Sequence, residues 1–183
     1  MEEFESNTEH VEEHLHEHAH HTPEKWISGV ALTAALLAAL AASAGMMSGH
    51  FANDAMLEKM DAEDKWNQFG VNSIKATVME SRIDERQLMG HPVDARDREK
   101  LAKYDKGKDT AKEEAGERDV KAVVNFKRHE VLARAVMLFQ VAIAVSAISA
   151  LTKRRVFWFV GIALGVAATA FFVAAFMPMY LHL

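Results

Sequence analysis

The 183-residue chain has no cysteine, only three prolines and two tyrosines, and no excess of basic charge. Without cysteine there is no disulfide, no thiolate metal site, no cysteine nucleophile and no CxxC redox pair. A formal net charge of −5 excludes the one-signed basic face that nucleic acid requires. The nucleophile-elbow, zincin, phosphate-loop and dinucleotide-binding signatures are all absent, so neither an enzymatic activity nor a cofactor is expected.

What is present is a sharp segregation of charge. Ile27–Met47, Leu132–Leu151 and Val156–Met177 hold only one of the chain's 47 acidic and basic side chains, Arg134. The other 46 crowd onto the remaining 120 residues, about 38% of them charged, against roughly 25% in soluble domains. A hydrocarbon core about 30 Å thick needs roughly 20 apolar helical residues, and each stretch has that length. Trp26 and the run Phe157–Trp158–Phe159 place rings where headgroups would lie. Three such stretches in so short a chain could not be covered by the rest of it. The reading is an all-α membrane protein with three transmembrane helices, at 26–48, 131–152 and 156–178. Ala42–Ser43–Ala44 mimics a signal cleavage site, but the acidic segment before it and the length of the apolar run favour a retained span. Arg134 sits one turn into its span, where a long stem can snorkel to the interface.

Residues 49–130 carry 16 basic and 18 acidic groups and one proline. Gly90–His91–Pro92 punctuates them, and Asp94 stands where a helix N-cap would. The expectation is a long charged antiparallel helical hairpin between the first and second spans, turning near 90–93. Its seam is read from Met56, Met60, Trp66, Phe69, Ser73, Thr77 and Ile83 on the first arm. On the second arm it is read from Leu101, Tyr104, Lys108, Ala111, Ala115 and Ala122. A seam so sparse would be marginal alone, which favours packing against further copies.

Within the spans, Ala34 and Ala38, and Gly161 and Gly165, follow the small-xxx-small spacing that lets helix backbones approach. Gln140, Ser146 and Ser149 are candidates for hydrogen bonds across to neighbouring helices. The segment 1–25 is rich in His and Glu. There His14 and His18 have the i, i+4 spacing that can chelate a divalent transition metal, the only metal candidates in the chain. The tail also reads as a flexible acidic segment whose charge changes as its imidazoles titrate. The loop 153–155 is wholly cationic, and short cationic loops stay cytoplasmic. That sets the N-terminus inside, the hairpin outside and the tail 179–183 outside.

The segments HEHAHH, EKWISGVALTAALLAALAA, NDAMLEKMDAEDKWNQFGVNSIKA, RHEVLARAVMLFQVAIAVSAISALTKRR and FWF resemble an uncharacterised bacterial membrane family, domain of unknown function 4337. The resemblance implies the same three spans with a charged helical insert. It assigns no catalytic residue or substrate. The expected location is a bacterial inner membrane, with the cationic loop setting the hairpin on the periplasmic side. The expected role is a non-enzymatic scaffold or assembly protein, embedded in lipid, that forms a homo-oligomer through its spans and hairpin. A channel or transporter subunit, or a metal- or pH-responsive protein using the N-terminal histidines, is the alternative.

Overall fold

A computed structural model describes residues 25–177. Among them there are three helices and no strand: α1, Lys25–Leu88; α2, Ala95–Thr152; and α3, Arg155–Ala174. Each contains a stretch long and apolar enough to cross a membrane. The residues divide into two units, one of 25–52 with 126–177, the other Asn53–Asn125. Helices α1 and α2 contribute to both.

The helix ends follow local chemistry. α1 closes in a Schellman arrangement. Gly90 takes φ +69°, its N–H donates to the Gln87 carbonyl, and the His91 N–H donates to the Arg86 carbonyl at 2.9 Å. Glycine accepts that left-handed backbone without penalty. Four residues later the Asp94 carboxylate accepts from the Arg96 N–H at 3.0 Å and starts α2 as its N-cap. Only Lys153 and Arg154 separate α2 from α3, and Lys153 is forced to φ +52°. That conformation costs a non-glycine residue roughly 1–2 kcal/mol. Ser149 Oγ braces the turn by donating to the Arg154 carbonyl at 3.0 Å. α3 stops at Ala174 rather than reaching residue 178. Its chain tightens through N–H bonds from Phe176 to Val173 and from Met177 to Ala174, just ahead of Pro178.

In the first unit the core centres on Phe139, the largest fully buried side chain. Leu37, Ala41 and Ala44 from α1, Ala135, Ala142 and Ile143 from α2, and Ala168 from α3 enclose it. Alanines bring the backbones close enough for one ring to fill the space between them. Many other large apolar side chains, Leu32, Leu36, Met137, Val160 and Val166 among them, point outward.

The second unit is built from two antiparallel arms. The cross-arm contacts Lys59–Asp119, Lys65–Glu114, Asn72–Gly107, Lys75–Tyr104 and Arg82–Asp97 fix one register along their whole length. Their seam is Ala55, Ala62, Ala76 and Ile83 against Ala111, Ala115 and Ala122. This corrects the first arm's expected seam. Met56, Met60, Trp66 and Thr77 are exposed, Phe69 and Ser73 are half-buried, and of the expected set only Ile83 is buried. The apolar signal there followed side-chain size, whereas the close approach selects alanine. On the second arm Ala111, Ala115 and Ala122 are buried as the spacing predicts, with Leu101, Tyr104 and Lys108 half-buried beside them.

Because Ala115 is fully buried in this seam, Ala115→Leu should destabilise the paired arms by about 1–3 kcal/mol, the usual cost of overpacking. Val120→Leu, at an exposed position, should be near neutral, within about 0.5 kcal/mol. Denaturant titration followed by circular dichroism measures both.

Candidate functional site

The small residues singled out in the spans lie at helix–helix approaches. Ala34 is buried, and Ala38 packs against the Phe139 cluster. Gly161 and Gly165 are buried on α3, but they face different neighbours. A Cβ at Gly161 would stand 2.5 Å from Ser146 Oγ and 3.1 Å from the Ala142 carbonyl oxygen of α2. A Cβ at Gly165 would stand 2.6 Å from Leu37 Cδ2 of α1. The Gly161–xxx–Gly165 pair therefore seats α3 against both other helices at once.

The polar groups divide between local and cross-helix bonds. Ser146 donates to the Ala142 carbonyl of its own helix at 2.8 Å, and Ser149 donates to Arg154, so neither bridges out of the α2–turn segment. Gln140 is half-buried. The bond that does cross joins α3 to α1. Trp158 Nε1 donates to Thr33 Oγ1 at 3.2 Å, and Thr33 in turn donates to the Gly29 carbonyl at 2.7 Å. Gly29 leaves room for the indole, whose Cη2 and Cζ2 lie 3.4 Å from where its Cβ would be. The Arg155 guanidinium lies 5.5 Å from the Trp26 ring, a cation–π contact next to this one. An aromatic belt accounts for the position of Trp158 but gives no hint of Thr33 as its acceptor.

A second polar junction ties α1 to α2 in the same unit. His129 Nδ1 lies 3.0 Å from the Ser48 carbonyl oxygen and 2.9 Å from Ser48 Oγ. A carbonyl only accepts, so Nδ1 carries the proton. The Ser48 hydroxyl donates to the His129 carbonyl at 3.2 Å. In this tautomer the imidazole donates its hydrogen bond to Ser48, and the junction clamps α1 to α2. Beside it Arg128 lies 5.3 Å above the Phe51 ring, which also meets Phe176 at 6.4 Å.

The second unit carries a ladder of ion pairs. Asp119 accepts from Lys59 Nζ at 2.8 Å and from Trp66 Nε1 at 3.0 Å. Arg118 meets Glu58 at 2.9 Å and Asp61 at 3.3 Å. Asp97 is only 4% exposed, and its Oδ2 has Arg82 Nε at 3.5 Å, too long for a hydrogen bond. The hydrogen bond from Lys59, with that from Trp66, holds the Asp119 carboxyl below its ordinary value. Asp119 raises the Lys59 ammonium, and Glu58 raises the Arg118 guanidinium.

Among the described residues no group of three or more His, Asp or Glu converges to hold a metal ion. His14 and His18 lie outside the described residues. Arg134 is exposed on α2.

Two predictions follow from these geometries. Gly161→Ala should destabilise the first unit by about 1–3 kcal/mol, because the backbone carbonyl of Ala142 cannot yield as a side chain would. Gly49→Ala, which meets nothing within 4 Å, should be neutral or stabilising by about 1 kcal/mol through helix propensity. Reversible unfolding in bicelles reads both. The Asp119 pairing is a depressed carboxylate, so its stabilisation is present above the ordinary carboxylate range and is lost as pH falls through the folded value. The raised Lys59 is the mirror case, present below the ordinary lysine range and lost as pH rises through its folded value. Arm pairing, read from Trp66 emission in a Trp26→Phe/Trp158→Phe background, should stay flat across neutral pH and change only near the two extremes. Asp119→Asn should shift that emission at neutral pH.

No curated protein and no solved structure matches the chain. One family model does, described as Domain of unknown function (DUF4337), over residues 26–178. The match takes in all of α2 and α3 and all but the first residue of α1, and the chain belongs to this family.

Proposed function

We propose that this is a three-span, non-enzymatic membrane protein that associates with copies of itself through its spans and its charged hairpin, as a scaffold or assembly factor. The observation that carries the reading is where the large apolar side chains lie. In the second unit the seam is alanine, while Leu57, Met60, Val71, Ile74, Val78, Val120 and Val123 are left exposed on charged arms. Exposed large apolar side chains among charges suit an interaction face. In the first unit small residues serve the internal approaches, and the outward Leu, Val and Phe side chains suit a lipid bilayer. On this reading the protein lies in a bacterial inner membrane. Lys153, Arg154 and Arg155 favour a cytoplasmic turn between the second and third spans. The N-terminus is then cytoplasmic, and the hairpin lies on the periplasmic side.

The cysteine-free sequence makes the test clean. After amine-reactive cross-linking in intact membranes, oligomers of the chain are expected, and recovery of monomer alone contradicts the reading. Lys112→Cys should react with a membrane-impermeant maleimide applied from outside, whereas Lys153→Cys should react only after permeabilisation. The reverse pattern would overturn the orientation.

A further inference from the structure

The outward side of the first arm carries an ordered pattern of its own. Leu57, Met60, Asp64, Asn67, Val71, Ile74 and Val78 alternate spacings of three and four, the spacing of a helix–helix seam. Two residues along a helix turn it by about 200°, so this stripe lies roughly opposite the one through Ala55, Ala62, Ala76 and Ile83 that pairs with the second arm. Its five apolar members are 49–67% exposed. Gly70, beside the stripe, would meet nothing within 4 Å if it bore a Cβ. A mid-helix glycine costs about 1 kcal/mol relative to alanine, and no contact among the described residues accounts for it.

The flank of this stripe carries an ordered set of charges. Positions 54, 61, 68, 75 and 82, one per heptad, are Asp, Asp, Gln, Lys and Arg. The sign of the charge reverses about Gln68. A second identical arm laid antiparallel, with its own Gln68 at the crossing, would set Asp61 against Lys75 and Asp54 against Arg82, each pair formed twice. In a parallel copy the two flanks would lie on opposite sides of the seam and these charges would not meet. Flanking charges of this kind fix partner and direction in helix pairs, and an arrangement that complements itself is what a two-fold contact requires. We infer that the outward face of the first arm, residues 54–82, binds a second copy of the chain antiparallel, with the two-fold axis beside Gln68. This rests on the self-association proposed above and assigns to the hairpin a contact between copies in facing membranes, because α1 runs unbroken from its span into this arm. Within one chain Asp61 already meets Arg118, Lys75 meets the Tyr104 ring and Arg82 meets Asp97. All three stay exposed, and Arg118 keeps Glu58 if Asp61 is changed.

The test uses the full chain in liposomes dense enough for copies to meet within and between vesicles. Gln68→Cys treated with a short bismaleimide should give covalent homodimer about tenfold more efficiently than Lys112→Cys, an exposed position on the other arm. Asp61→Lys should weaken the association about tenfold, as expected for two symmetric ion pairs turned repulsive. Asp61→Lys/Lys75→Asp should restore it, a rescue that a merely structural role for Asp61 would not give. Circular dichroism checks that each variant keeps its helix content. Should oligomers persist while Gln68→Cys stays uncoupled and Asp61→Lys changes nothing, this contact is wrong and association through the spans still stands. Should Gln68→Cys couple to a different protein in native membranes, the face belongs to another partner and the inference is overturned. Monomer under every condition would overturn the self-association itself.

Discussion

Close approach of helix backbones across small side chains is the constraint on which both units depend. Lipid supplies no hydrophobic drive for helices to associate, so contact there is limited by how near the backbones can come. Ala34, Ala41, Ala44, Ala135, Ala142, Gly161, Gly165 and Ala168 set that distance in the first unit. One aromatic ring, Phe139, fills the space where the helices meet. The turn at Lys153–Arg154 serves the same end, tolerating a left-handed lysine so that α3 can fold back within two residues. Trp158 with Thr33, and His129 with Ser48, then add directional bonds between helices that dispersion alone would not orient.

The same device has a different consequence in the second unit. An alanine removes little apolar area from water compared with leucine or phenylalanine, so the seam of Ala55, Ala62, Ala76, Ala111, Ala115 and Ala122 is a thin source of stability. Ion pairs lock the register, but exposed pairs contribute little each. The aliphatic residues that could supply more sit on the opposite side of the first arm. A pair of arms built with its large side chains outward leaves apolar surface exposed. That surface links the packing to the proposed scaffold role.

Much of the architecture was legible from charge alone. Three apolar stretches, the break at Gly90–His91–Pro92 and the cap at Asp94 each follow from one or two residues with strong local preferences. The second arm's alanines were legible because nothing larger competes with them at that spacing. The first arm misled, because Met56, Met60 and Trp66 are more conspicuous than Ala55, Ala62 and Ala76, and hydrophobic periodicity weighs size above closeness. Two seams at the same period on one helix cannot be told apart by period; only the partner's position decides which is inner. The Gly161–xxx–Gly165 pair was visible as a packing motif. That each glycine serves a different helix depends on the three-dimensional placement of α1 and α2. The acceptor of Trp158 and the tautomer of His129 likewise have no sequence signature, since their partners lie 125 and 81 residues away.

Small residues line the helix approaches and many large apolar residues face outward, and hydrocarbon is what the first unit's outer surface is proposed to meet. Spin labels placed singly at Leu36 and Val166, both exposed, test that most directly in reconstituted bilayers. Collision with molecular oxygen and with a water-soluble nickel chelate reports the medium around each label. High oxygen and low chelate collision at both sites is the predicted result. Ready collision with the chelate at either site would mean that these surfaces meet water, and the membrane-spanning architecture would be contradicted.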